Sequence, residues 1–393
     1  MADEQVLIID GARTPMGGLG GALASVPAPQ LAAVAAARTL LRSGVSGDDV
    51  DEVFMGCVLP AGLRQCPARQ TAIAAGVAVD AGAVTLNKAC GSGMQATIFG
   101  FDSIRAGTNR VVLAGGMESM SNAPHLLPGA RSGFRLGSAI AYDHMMMDGL
   151  EDAYEGRPMG SFAQATADRE GITREAMDAY AIESLRRARL AIDEGALADE
   201  MAPVTVTTRR GDTVIADDEQ PPKADLERIP TLKPAFAKDG TITAANASSI
   251  SDGGSALLLM NESAAREHEL PGMARIVAHA RHSQAPGEFT TAPIGALQKL
   301  FDKTGWSAAD VDLFEINEAF AMVTMLAMRA FDLDHGRVNI HGGACAQGHP
   351  IGSTGSRIIV TLMHALRRHG GRRGVAALCI GGGEATAVAI EMV

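Results

Sequence analysis

Short apolar runs alternate along the chain with longer, Ala-rich stretches. Val6-Leu7-Ile8-Ile9 is followed by Gln30–Ser43, then by Glu52–Val58, Ala68–Ala75 and, further on, Val111–Ala114. The runs have strand length and strand composition, and the stretches between them read as helices. Such alternation predicts mixed or parallel α/β sheets with helices packed on them. The segment from about 120 to 250 breaks the pattern, being rich in Met, Arg, Asp and Pro. It offers one clear helix, Thr173–Glu194, with Thr173 placed to cap its start and Gly195 to stop it. Apolar alternation returns at Ser255–Met260 and Ala274–Ala280. The middle block is therefore expected to be an insertion over an α/β scaffold, a candidate lid or binding region.

An internal repeat sharpens this picture. Cys90-Gly-Ser-Gly-Met opens an Ala-rich helix that leads to Arg110-Val-Val-Leu-Ala-Gly-Gly-Met-Glu118. Gly352-Ser-Thr-Gly-Ser opens a second helix that leads to Arg373-Gly-Val-Ala-Ala-Leu-Cys-Ile-Gly-Gly-Gly-Glu384. In both, a Gly-Ser turn starts a helix, which gives way to a basic residue, an apolar strand and a Gly-Gly corner ending in Glu. One duplicated fold unit explains the match.

A chain of 393 residues suggests two or three packed units. With 45 acidic against 34 basic residues the net charge is −11, so no global positive field exists to hold nucleic acid or an anionic membrane, and a phosphate-bearing ligand must be held locally. The five cysteines, Cys57, Cys66, Cys90, Cys345 and Cys379, do not read as a disulfide framework, and a reducing cytoplasm is expected. The acidic start, Met1-Ala-Asp-Glu-Gln, running straight into Val6–Ile9, is not expected to act as a signal peptide, and Ile390-Glu-Met-Val is no peroxisomal or lipidation signal. No apolar run approaches the roughly 20 residues that span a bilayer, so no membrane partner is expected.

Three residues at repeat-related turns carry candidate chemistry. Cys90 lies between the strand end Val84-Thr85-Leu86 and a helix running from about Gly91 to Arg105. Unpaired N–H groups at a helix N-terminus favour the thiolate, so a lowered pKa is expected there. His349 sits in Gly348-His349-Pro350-Ile351-Gly352, at the matching turn of the second repeat, and Cys379 precedes the corner Gly381-Gly382-Gly383. If the halves pack about a pseudo-twofold axis, these turns converge on one site.

Asn87-Lys-Ala-Cys90-Gly-Ser-Gly-Met, Asn317-Glu-Ala-Phe320, Gly348-His349-Pro350 and Cys379-Ile-Gly-Gly-Gly383 closely resemble the four signatures of the thiolase family, in the family's order. The resemblance covers essentially the whole chain. It implies a duplicated αβαβα five-layer architecture with an inserted loop domain. The N-terminal half would comprise residues 1–120 and 248–273, the CoA-binding and tetramerisation loop domain 121–247, and the C-terminal half 274–393. In that reading Cys90 is acylated, His349 activates it and helps hold the thioester oxygen, and Cys379 is the acid/base. Asn317 would hold a water that completes this first oxyanion hole, and the N–H groups of Cys90 and Gly381 would form the second. Ser248 matches a position that contacts CoA, while Met159, Phe236, Phe289, Ala319 and Phe320 match the acyl pocket.

The implied reaction joins two acetyl-CoA into acetoacetyl-CoA and CoA, reversibly, through an S-acyl-cysteine, with CoA as substrate and product and neither metal nor redox cofactor. Thioester exchange between two thiolates is nearly isoenergetic. Condensation needs a base beside donors aimed at an enolate oxygen, and losing one such donor typically costs on the order of 10²–10³ in rate. Candidate cations for the CoA phosphates are Arg131, Arg135, Arg209, Arg210, Lys223, Arg228 and Lys233.

Pro158 and Phe289 depart from the short-chain pattern, which leaves a degradative enzyme for longer 3-ketoacyl-CoA as an alternative. Ala123-Pro-His-Leu-Leu-Pro128 and Arg131–Gly137 resemble instead the loop through which biosynthetic members form tetramers, dimers of dimers. Readings from other classes are a non-catalytic acyl-CoA or lipid-binding relative, a dinucleotide site at Gly91-Ser-Gly93-Met-Gln-Ala96, and a metal site from His341, Cys345, His349 and Cys379. The Gly-rich stretch around Cys345 is not expected to be helical, which leaves that ligand geometry unsupported.

Overall fold

The computed structural model describes residues 4–393, so Met1, Ala2 and Asp3 of the acidic start lie outside the described residues. The main strands are β1 (Val6–Arg13), β2 (Glu52–Gly56), β3 (Gly82–Leu86), β4 (Val111–Ser119), β5 (Ser251–Asn261), β6 (Ala274–Ser283), β7 (Leu313–Ile316), β8 (Arg373–Ile380) and β9 (Glu384–Met392). The main helices are α1 (Ala28–Ser43), α2 (Pro67–Ala74), α3 (Ser92–Arg105), α4 (Met159–Glu170), α5 (Arg174–Asp193), α6 (Ala292–Thr304), α7 (Ala321–Phe331) and α8 (Thr354–His369). Among the described residues no helix is long and apolar enough to cross a membrane.

The strands follow one path, β7-β8-β9-β6-β1-β5-β4-β2-β3, and the repeat is visible in how they pair. In the first half β2 runs parallel to β3 and β4, and β5 lies antiparallel between β4 and β1. In the second, β8 runs parallel to β7, and β9 lies antiparallel between β8 and β6. Where the first half has β3, the second has the single parallel bridge Phe314–Val338. The half-sheets join edge to edge through Leu7–Arg275 and Ile8–Ala274.

Side-chain alternation along each strand builds the layers. Val6, Ile8, Leu257 and Leu259 face one way, into a core shared with Met94 and Ile98 of α3 and with Ile358, Leu362 and Leu366 of α8. Leu7, Ile9, Leu258 and Met260 face the other way, onto Ala28, Ala32, Ala35 and Ala36 of α1 and Ala68 and Ala72 of α2. In the second half Ala376, Leu378 and Ile380 turn to the central core, whereas Val375 and Ala377 turn to α6. Strands buried on both faces need near-continuous apolar runs, which is the pattern in the sequence.

The central helices touch reciprocally. A Cβ added at Gly93 would stand 2.5 Å from Ser356 Oγ and 2.8 Å from its N, and one added at Gly355 would stand 2.3 Å from Met94 N. Residue i against j and j against i is the signature of a twofold relation, here within one chain.

The insertion leaves the sheet after β4 and returns at β5. Thr173 caps α5, its hydroxyl accepting the Ala176 N–H at 3.2 Å, and Gly195 follows at φ 63°. The apolar pattern missed α4, whose buried residues mix Gly160, Ala163 and Ala167 with Phe162 and the polar Gln164 and Thr166 and so give little contrast. Around Cys345 the expectation of no helix is corrected, because Ala344–Gln347 forms a short helical turn. The insertion is tied to the scaffold by Arg13, fully buried at the end of β1. Its guanidinium reaches Asp218 through two bonds of 2.6 and 3.0 Å and Glu200 through a third.

Candidate active site

The turn before α3 is held by its own side chains. Asn87 Oδ1 accepts the Ala89 N–H at 2.9 Å, and Ser92 Oγ accepts the Lys88 N–H at 2.8 Å while donating to the Ala89 carbonyl at 2.7 Å. These bonds hold Ala89 at φ +43°, a conformation costly for a residue with a side chain, and thereby present Cys90 at the mouth of α3. The turn before α8 needs glycine at its start. Gly348 has φ +115°, and a Cβ there would stand 2.2 Å from Ser251 Oγ.

These turns meet in one cavity of about 460 Å³, lined mainly by apolar side chains. Cys90, His349, Cys379 and Gly381 line it, as do Ser248, Met159, Phe236, Phe289, Ala319 and Phe320. The rings of Phe236 and Phe289 each stand edge-on to Phe320, with centroids 6.2 and 6.3 Å apart. Asn317 is not part of the lining. It is buried with its N–H on the Ala377 carbonyl at 3.0 Å, and its amide nitrogen and oxygen have no protein partner. None of the seven candidate cations lines the cavity; Lys233 comes nearest in sequence, two residues before lining residue Ala235. Lys223 pairs with Glu219. His341 bonds to His369 at 3.2 Å and Cys345 lies against the Glu318 carbonyl, and neither lines the cavity.

The ionisation of Cys90 differs from the expectation. Burial pushes the thiol up, the N–H groups of Gly381 and of Cys90 itself pull it back in part, and the charge of Glu118 pushes it up further. Donors at the helix mouth are present, but loss of water outweighs them. Burial likewise holds Cys379 well above the ordinary thiol range, and the neighbouring Cys90 adds to the effect. Burial drives His349 down to about 3, aided by Arg357. The resting site is thus thiol, thiol and neutral imidazole.

The tautomer of that imidazole follows from its partner. His349 Nδ1 stands 2.6 Å from Thr354 Oγ1, whose single proton goes to the Pro350 carbonyl at 3.0 Å. Thr354 therefore accepts, Nδ1 carries the proton, and Nε2 has a free lone pair in a buried position without a protein partner. The apolar pattern and the motifs did not single out Thr354; its position five residues after a histidine, in the first turn of a helix, is the signal available. They also missed Met146, Leu150 and Ile351 as cavity wall, whereas Pro158, singled out as a departure from the short-chain pattern, does line it.

Known proteins resemble the chain over its whole length. The family model described as "Thiolase, N-terminal domain" matches residues 6–263, and "Thiolase, C-terminal domain" matches residues 270–392. The chain is 44% identical over 389 residues to an acetyl-CoA acetyltransferase of Pseudomonas aeruginosa, covering 98% of this chain and 99% of that one. To the acetyl-CoA acetyltransferase of Schizosaccharomyces pombe it is 43% identical over 395 residues, covering 100% of each. The crystal structure of Acat5 thiolase from Ascaris suum in complex with coenzyme A superposes with a TM-score of 0.94 at 41% identity, over 99% of this chain and 100% of that one.

Proposed function

The chain belongs to the thiolase family, and from that premise we propose that it joins two acetyl-CoA molecules into acetoacetyl-CoA and free CoA, reversibly, through an acetyl thioester on Cys90. The observation that carries this reading is the meeting of Cys90, His349, Cys379 and Gly381, drawn from both halves, on one apolar cavity.

Each step follows from the resting ionisation. Cys90 Sγ attacks the thioester carbon of the first acetyl-CoA as His349 Nε2 takes the thiol proton, and Cys379 gives its proton to the departing CoA sulfur. The thiolate left on Cys379 then removes a proton from the methyl carbon of a second acetyl-CoA. The resulting enolate attacks the acetyl carbon, and Cys90 sulfur leaves with the proton held on His349. Protons balance over the cycle and nothing is oxidised, so the reaction calls for no metal or redox cofactor.

Gly381 N–H and Cys90 N–H, which already face the Cys90 sulfur, are the donors for the tetrahedral oxyanion. His349 and a water on the unpartnered amide of Asn317 would hold the thioester oxygen that becomes the enolate. Ser248 would contact the CoA arm. The aromatic wall of Phe236, Phe289 and Phe320 suits short acyl groups.

A homotetramer is part of the proposal. Leu127, Phe134, Leu136 and Ile140 are all exposed on one segment, an apolar surface that an assembly would cover. A cytoplasmic setting fits five free cysteines.

Denaturing mass spectrometry after incubation with acetyl-CoA tests the core of the reading. Acetyl on Cys90 is expected, together with thiolysis of acetoacetyl-CoA; acetyl on another residue would overturn it.

A further inference from the structure

Two glutamates at matching places of the repeat, Glu118 near the end of β4 and Glu384 at the start of β9, are unused by the steps above. Glu118 Oε2 accepts the N–H groups of Val58 at 3.0 Å and Gly352 at 2.9 Å, and Oε1 accepts that of Leu59 at 3.1 Å. Gly352 belongs to the turn that carries His349, so a carboxylate of the first half grips the catalytic turn of the second. Glu384 pairs with Lys88, and Lys88 belongs to the turn that carries Cys90. There the second half grips the catalytic turn of the first.

Each turn also lies against a strand of the opposite half. A Cβ at Gly91 would stand 2.3 Å from the Ile380 side chain, and one at Gly116 would stand 2.1 Å from the Gly352 carbonyl oxygen.

We propose that Glu118 and Glu384 are reciprocal positioning residues, two crossed clamps that fix the Cys90 turn and the His349 turn relative to each other. This rests on reading Cys90 as nucleophile and His349 as its base. The clamps differ in strength because their surroundings differ. Glu118 is 0% exposed. Its carboxylate supplies acceptors for three converging N–H donors, a role glutamine cannot fill because its amide nitrogen would face one of them. The Lys88 and Glu384 side chains are 23% and 34% exposed, so water screens their attraction. Burial raises the Glu118 carboxyl to about 7 against the pull of those N–H groups, and its ionised form adds a small push to the burial that opposes ionisation of Cys90.

The test compares Glu118→Gln with wild type, counting active sites by stoichiometric acetylation of Cys90. Per acetylated site, kcat for thiolysis is expected to fall on the order of 10²-fold with KM within about twofold, as for small misplacements of reacting groups. The pH at which iodoacetamide alkylates Cys90 is expected to move down, since a neighbouring negative charge is gone; because unfolding would also lower it, the profile is read on protein whose native circular dichroism is retained. At the second clamp, Lys88→Glu and Glu384→Lys are each expected to lower kcat about two- to fivefold, and the double reversal to restore it. Should Glu118→Gln not fold, the surface reversal decides. Unchanged kcat and an unmoved alkylation profile in Glu118→Gln, or no rescue by the reversal, would overturn the clamps. Missing acetyl on wild-type Cys90 would instead refute the nucleophile assignment, so the two failures are separable.

Discussion

In the second half the chain passes from β8 to β9 through Gly381, Gly382 and Gly383; in the first, the corresponding passage from β4 to β5 takes residues 120–250. The strands on either side pair alike in both halves, so the long passage was accommodated without disturbing the sheet. What differs is what each corner contributes. The tight glycine corner brings a backbone donor and Cys379 to the reacting atoms, with Gly382 and Gly383 at φ of 90° and 84°, where other residues are strained. The long passage brings walls, among them Met159 and Phe236, and Ser248 near its return. Chemistry sits on turns common to the halves, and recognition sits largely on the part only one half has.

The sharpest way to break this division is at the two thiols. Cys90→Ala is expected to abolish both acetylation and turnover, because no other group on the cavity replaces the acyl carrier; residual turnover above background would break the pairing of roles. Cys379→Ser should still acetylate Cys90, perceptibly slower because protonation of departing CoA is impaired, while condensation falls on the order of 10³-fold. Quenched mass spectrometry run beside acetoacetyl-CoA formation checks it, and equal losses in both steps would refute the division of labour.

His349 gives a pH signature. Its folded value of about 3 lies below the unfolded value near 6.5, so between these limits the unfolded chain binds more protons. The stability it contributes is complete above about 6.5 and is lost as pH falls toward 3. His349→Asn should therefore lose less stability than wild type between pH 7 and pH 5, measured by urea midpoints. An equal loss would show that the imidazole is not held neutral.

The equivalence of the halves is tested by Gly93→Ala and Gly355→Ala. Both should cost about 1–3 kcal/mol by overpacking the same contact from opposite sides. A large cost on one side only, seen in thermal melts, would break the twofold picture.

The specificity side is tested by Phe289→Ala, expected to raise kcat/KM for a 3-ketoacyl-CoA longer by one or two carbons on the order of tenfold relative to acetoacetyl-CoA. No change would place the end of the acyl pocket elsewhere.

Much of this was legible in the sequence because the signals are local. Thr173 and Gly195 bound their helix through contacts within a few residues, and the turns at Cys90 and His349 announce themselves by glycines that adjacent backbone requires. The repeat exposed the duplicated scaffold for the same reason. The direction of the Cys90 shift was not legible, since it is set by how much water the other half and the insertion remove. Glu118 was visible only as the last letter of a motif read as a Gly-Gly corner, which in the first half is continuous strand β4, because its partners at 58, 59 and 352 are distant in sequence. Helix α4 stayed hidden because its buried face mixes small and polar residues, Gly160, Gln164 and Thr166 among them, and leaves no apolar stripe.

The position of β5 has a consequence for synthesis on the ribosome. Strand β1 is made well before its neighbour in the first half-sheet, β5, which emerges only after the whole insertion. At about 5–20 residues per second, β1 and β4 wait roughly seven seconds or more with that partner missing. Throughout that interval two apolar strands have open edges, the state most prone to pairing with another nascent chain. This architecture makes the newborn chain a natural client for chaperones until residue 261 has cleared the exit tunnel.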